Sequence, residues 1–153
     1  MTSYKMRKST FLTIHIILPL LIGLIIYALF RNGDLKIYEW LEAIGYKASF
    51  DFNLLGSRLA THIPNWLKFS LSDGIWIYVF TSSIFLIWSH KVNTFWLITP
   101  LVIGIGLELS QLYKFIPGTF DYVDLLFLVS AYVLALTSGF RWRRKCIQTQ
   151  FPY

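Results

Sequence analysis

Gly104–Asp124 reads GIGLELSQLYKFIPGTFDYVD. An apolar run takes in a carboxylate, Glu108, turns at Pro117-Gly118, and resumes on two more carboxylates, Asp121 and Asp124. The Pro-Gly pair marks a turn, and apolar residues continue on both sides of it. The stretch predicts two membrane helices joined by a short turn, with acidic groups gathered near one membrane face.

The composition agrees. Of 153 residues 56% are hydrophobic and 14% charged, where a soluble domain carries roughly 25% charged residues. The mean hydropathy is +0.56. Such a chain buries its apolar surface in the lipid bilayer, and its length fits one membrane domain over residues 1–153. The net charge of +6 does not imply nucleic acid, because the basic residues collect at the two ends, flanking apolar runs. That pattern sets membrane orientation. The single cysteine, Cys146, excludes an internal disulfide and any multi-cysteine metal site.

Working outward, four runs are predicted to span: 11–30, 73–89, 94–114 and 121–140. Phe11–Phe30 carries no charge and approaches the ~20 residues needed to cross the hydrocarbon. A signal peptide would have an apolar core of only ~7–15 residues and a small-residue cleavage site. Ala28-Leu29-Phe30-Arg31 is a poor one, so an uncleaved helix is expected. His15, Pro19 and Gly23 share one of its faces and predict close approach by another helix. Asn93 closes a tight turn before the third span. The tail Arg141-Trp142-Arg143-Arg144-Lys145 is expected to stop the fourth.

The loop 31–72 has amphipathic content. Ile37, Trp40, Leu41 and Ile44 recur at helical spacing before Gly45, which reads as a short helix lying in the interface. A second is expected over 51–60, and Pro64 suits a helix start at Asn65. The fold class is therefore all-α: a polytopic bundle of four transmembrane helices with short interfacial helices in the first extracytoplasmic loop. The positive-inside rule places both termini in the cytoplasm of a plasma (inner) membrane protein. Trp76, Trp88, Trp96 and Trp142 fall at expected span ends, with Trp40 and Trp66 in the surface helices.

The acidic residues form a constellation. In each later span the charge-free part falls short of a full crossing, and the missing outer turn holds Asp73, Glu108 or Asp124. Asp73, Glu108, Asp121 and Asp124 thus reach similar depth, with Gln111 one turn beyond Glu108 on the same face. A carboxylate within hydrocarbon costs about 2–3 kcal/mol on the mildest scale, so Glu108 must face the bundle interior. Converging carboxylates bind a divalent cation, hold a cationic substrate, or share a proton as general acid and base. Glu108 and Asp124 are the candidate metal ligands, and no other cofactor is evident. Capping also accounts for Asp73, Asp121 and Asp124, each near a helix start. Glu108 stands near a helix C-terminus, where the dipole disfavours negative charge. Its alternative role is a structural bond to Lys114, Arg58 or loop backbone. His15 reads as a packing residue, and Cys146 as an idle cysteine or a lipidation site. Arg58, His62 or Lys68 would supply counter-charges if the loop lies over the acids.

At these residues the chain resembles the VanZ-like family of small bacterial membrane proteins. The pattern is Glu108-Leu-Ser-Gln111, a polar turn, then Asp121-Tyr-Val-Asp124, with Asp73-Gly74-Ile75-Trp76-Ile77-Tyr78 opening an earlier span. It covers roughly residues 64–138. The histidine often found after the family's first Asp, the arginine of its turn, and the Asn-plus-Gly pattern after its last Asp have no counterpart here. The family's namesake is associated with resistance to the glycopeptide teicoplanin. The resemblance implies an envelope-facing membrane protein.

Four functions stay open on these residues. The first is an envelope protein whose outward acidic site binds a cation, a cationic headgroup or a lipid-linked envelope component. The second is a membrane enzyme on a lipid substrate with Glu108 as base, although no Ser/His/Asp set, nucleophile elbow or His-rich metal motif is present. The third is a proton- or cation-coupled transporter, which four spans would support only as a homo-oligomer. The fourth is an accessory subunit for a membrane protein partner, with purely structural carboxylates.

Overall fold

The computed structural model describes residues 2–30, 43, 45, 63–68, 70–88, 92–116 and 119–150. The described residues are all-helical, without strands. Helix α1 (Thr2–Leu12) passes through a π-helical turn (Thr13–Ile17) into α2 (Leu18–Phe30). Then come α3 (Asn65–Lys68), α4 (Ser70–Ile87), α5 (Thr94–Leu112) and α6 (Tyr122–Gln150). Four segments are long and apolar enough to cross a membrane: Arg7–Tyr27, Ser70–Ile87, Thr94–Leu112 and Tyr122–Ile147. The helices expected over 37–44 and 51–60 lie outside the described residues apart from Ala43 and the neighbouring Gly45, as do His90, Lys91 and Pro117-Gly118.

The π turn has a local cause. Pro19 has no N–H to give to the carbonyl four residues back. The chain widens instead, and the Leu18 N–H donates to the Thr13 carbonyl, a single-turn bulge inside a helix. Past it, the face carrying His15, Pro19 and Gly23 does meet another helix. His15 Nδ1 shares a hydrogen bond with the Tyr78 hydroxyl, and a Cβ on Gly23 would sit 3.0 Å from Ile75. The opposite side, with Leu21 and Ile25, is exposed, as lipid-facing side chains are, while Leu20 and Leu24 line an apolar cleft shared with α4.

Helix α4 is the hub, with α6, the first span and α5 packed around it. Its buried residues include Gly74, Ile77, Thr81, Ile84 and Phe85. Glycines set two of the closest approaches. A Cβ on Gly104 would come within 2.6 Å of Leu128 and 2.9 Å of Ile77, and one on Gly139 would strike the Phe85 ring. Small residues let membrane helices approach this closely. Tyr132 donates its hydroxyl to the Leu97 carbonyl at 3.0 Å, which ties α6 to α5 inside the bundle.

The element ends follow local chemistry. Asn93 caps α5, accepting the Phe95 N–H at 3.0 Å, and Pro64 directly precedes α3. Trp66 of α3 stacks on Phe127, with ring centroids 5.4 Å apart. Lys114, expected inside the third span, has φ +59° and lies beyond the end of α5.

One boundary is corrected. The basic run Arg141–Lys145 does not stop α6, which continues to Gln150. The buried positions along it are Leu128, Tyr132, Ala135, Gly139, Trp142 and Cys146, a 4-3-4-3-4 spacing that keeps one seam inward. Charges end the apolar surface while the seam carries the helix on. Trp142 accordingly stacks on Phe11 with centroids 4.5 Å apart and is 9% exposed. It is a packing residue between α1 and α6. Trp88 and Trp96 stack on each other where α4 ends and α5 begins, and both are exposed.

Candidate functional site

The start of α4, the end of α5 and the start of α6 share one end of the bundle. Asp73 lies in the first turn of α4, Asp124 in the first turn of α6, and Glu108 one turn before the end of α5. Each offers a carboxylate oxygen, and these oxygens all lie within 4.8 Å of one another. Asp73 is exposed, Asp124 half-buried, and Glu108 only 4% exposed.

Glu108 is inward by register. The buried positions of α5 are Leu97, Pro100, Gly104 and Glu108, so the glutamate occupies the position where the seam would carry another apolar residue. Below it, Gly104 lets Leu128 and Ile77 close over the helix. Above that floor is a cavity of about 260 Å³, lined by Asp73, Trp76, Glu108 and Gln111 among others. Glu108 Oε2 is buried there and has no hydrogen-bond partner among the described residues. Buried polar atoms are nearly always paired, so an orphaned carboxylate oxygen is the site's most telling feature. Arg58 and His62, considered as counter-charges, lie outside the described residues, and Lys68 is half-buried at the end of α3.

The expected residues separate. Asp73, Glu108 and Asp124 come together, and Gln111 lines the same cavity. Asp121 is exposed and its Oδ1 accepts the Val123 N–H at 2.9 Å. It is the N-cap of α6, satisfying one of that helix's open donors. The acid three residues on, Asp124, turns into the cluster instead.

Three carboxylates this close repel one another, and a cation between them removes that repulsion. The donors are all hard oxygens: three carboxylates, with the Gln111 amide nearby. This set suits Mg²⁺, Ca²⁺ or Mn²⁺ rather than softer metals. His15 is held by Tyr78, and Cys146 is buried in the core cluster with Phe11 and Trp142. Neither belongs to this set. The His15–Tyr78 pair was not foreseen, because nothing in the sequence links positions so far apart.

No protein-family model, curated protein or solved structure matches the chain.

Proposed function

We propose that this chain is a VanZ-like multi-pass protein of the bacterial cell envelope whose acidic site binds a hard divalent cation. Asp73, Glu108 and Asp124 are its ligands, and Gln111 is its amide neighbour. Both termini lie in the cytoplasm and the acids face outward. Asp73, Glu108 and Asp124 would hold the cation, which would supply positive charge for the phosphate of a lipid-linked envelope component, the ligand class the reading favours.

The observation that carries the reading is the Glu108 carboxylate. It is buried at a seam position, opens on a cavity, and leaves Oε2 without a partner among the described residues. Capping explains Asp121 completely but gives no reason for Glu108. The motif Glu108–Gln111 with Asp124 supports the family resemblance. The basic ends of the chain support the orientation.

The test is equilibrium Mn²⁺ binding to the purified protein, followed by electron paramagnetic resonance. A saturable class of bound Mn²⁺ is expected, displaced by Mg²⁺ or Ca²⁺, lost in Glu108→Gln and retained in Asp121→Asn. Absence of saturable binding in the wild type overturns the proposal.

A further inference from the structure

The end of the bundle opposite the acids carries a second cavity of different chemistry. It measures about 510 Å³ and lies between α1 with its π turn and the last part of α6. Arg7, Arg141 and Lys145 stand around it, Thr10 adds a hydroxyl, and Phe11 and Ile14 form an apolar wall. Arg141 and Lys145 are one turn apart on α6, so their side chains share a face. Both are exposed. Arg7 Nη1 donates to the Lys145 carbonyl at 2.7 Å, and the Trp142 indole N–H donates to the Arg7 carbonyl at 3.3 Å. These bonds clamp the two helices together and fix the Arg7 guanidinium at the cleft.

Among the described residues that line the cleft there is no aspartate or glutamate. Positions 1–33 and 125–153 contain no aspartate or glutamate. The candidate spans begin at Arg7 and run to Ile147, so the three cations fall toward the ends of those segments, where bilayer headgroups are expected. Beyond the cleft the wall continues into Ile14, Ile17 and Leu18, all exposed large apolar side chains. Cations at the interface above an apolar track are complementary to an amphiphile with an anionic head. Basic pockets between membrane helices hold phospholipid headgroups by this arrangement, and an arginine fork matches a phosphate oxygen pair.

We infer that the cleft formed by Arg7, Arg141 and Lys145 is a binding site for an anionic phospholipid. Its phosphate sits among the three cations and an acyl chain lies along Ile14 and Ile17. The site is independent of the acidic cluster and holds whether or not that cluster binds metal.

The experiment measures melting temperature in neutral detergent with phosphatidylglycerol, phosphatidylcholine of the same acyl chains, or inorganic phosphate added. It is paired with native mass spectrometry of lipid retained. Phosphatidylglycerol is expected to raise the melting temperature by about 3 °C or more beyond phosphatidylcholine and to be the retained lipid. Arg141→Gln with Lys145→Gln removes most of that difference. Lys8→Gln with Arg144→Gln removes the same charge from the same end but not from the cleft, and keeps it. Arg141→Lys with Lys145→Arg controls for folding and keeps it as well. Equal effects of the two lipids overturn the inference. Equal losses in the two Gln pairs also overturn it, leaving only a generally basic end. A shift reproduced by inorganic phosphate overturns it in favour of a free-anion site.

Discussion

The Glu108 carboxylate, buried in α5, lies within 4.8 Å of the Asp124 carboxylate in the first turn of α6. Two helices thus bring carboxyl groups together at one end of the bundle. A protein selected only for stability would place an apolar pair there. Replacing Asp124 with Asn removes one charge and keeps the shape. Its expected effect without metal is a neutral or raised melting temperature, and with Ca²⁺ a smaller rise than the wild type shows. Differential scanning fluorimetry in detergent reads both.

Asp121 separates capping from site chemistry. Asp121→Ala loses the bond to the Val123 N–H and is expected to destabilise by about 1 kcal/mol. The metal response should be intact. A lost response with Asp121→Ala would show that the cap and the cluster act as one unit.

Gly139 and Gly106 make a contrasting pair. A Cβ at Gly139 strikes the Phe85 ring, whereas a Cβ at Gly106 meets nothing within 4 Å. Gly139→Ala is expected to destabilise by about 1–3 kcal/mol through overpacking. Gly106→Ala is expected to stabilise by up to about 1 kcal/mol through helix propensity. Thermal melts of the two proteins, side by side, check the sign.

The buried hydroxyl of Tyr132 has a single visible task, its bond to the Leu97 carbonyl. Tyr132→Phe keeps the ring packing and loses that bond. A loss of about 1 kcal/mol is expected, in the range typical of interhelical bonds in membranes. An unchanged melting temperature would mean that the bond contributes nothing to the α5–α6 contact.

Orientation is open to labelling. Cys146 is buried and serves as a silent background. Thr119 and Thr94 are exposed at opposite ends of the bundle. Thr119→Cys should react with a membrane-impermeant maleimide in intact cells, and Thr94→Cys only after lysis. The reverse pattern would invert the proposed topology.

The four spans were legible because lipid needs long apolar runs, and little else in a sequence makes one. The inward placement of Glu108 was legible for the same reason, since hydrocarbon tolerates few carboxylates. The start of α5 after the turn at Asn93 and the helix after Pro64 were readable from turn chemistry, whereas the capping role of Asn93 came from the structure. The end of α6 was not. Hydropathy falls at Arg141, while the seam through Gly139, Trp142 and Cys146 continues beneath the charges. Spacing of small and aromatic residues carried that signal, and a hydropathy average hides it. Asp121 and Asp124 could not be told apart either. Three residues' separation puts both in one turn, and which of them caps depends on where the helix starts, at Tyr122. The basic cleft needed the fold itself, since it joins Arg7 to Lys145 across nearly the whole chain.

The central claim is that Glu108 belongs to a cation site maintained at a cost in stability, and one comparison tests it most directly. Wild type and Glu108→Gln are melted in the same detergent, with and without Mg²⁺ or Ca²⁺. The metal is expected to raise the wild-type melting temperature by about 3 °C or more. Glu108→Gln should melt at or above the metal-free wild type and show no metal-induced rise. A Glu108→Gln protein that melts several degrees lower, in a chain whose wild type ignores metal, would contradict the claim and make the carboxylate a structural tie.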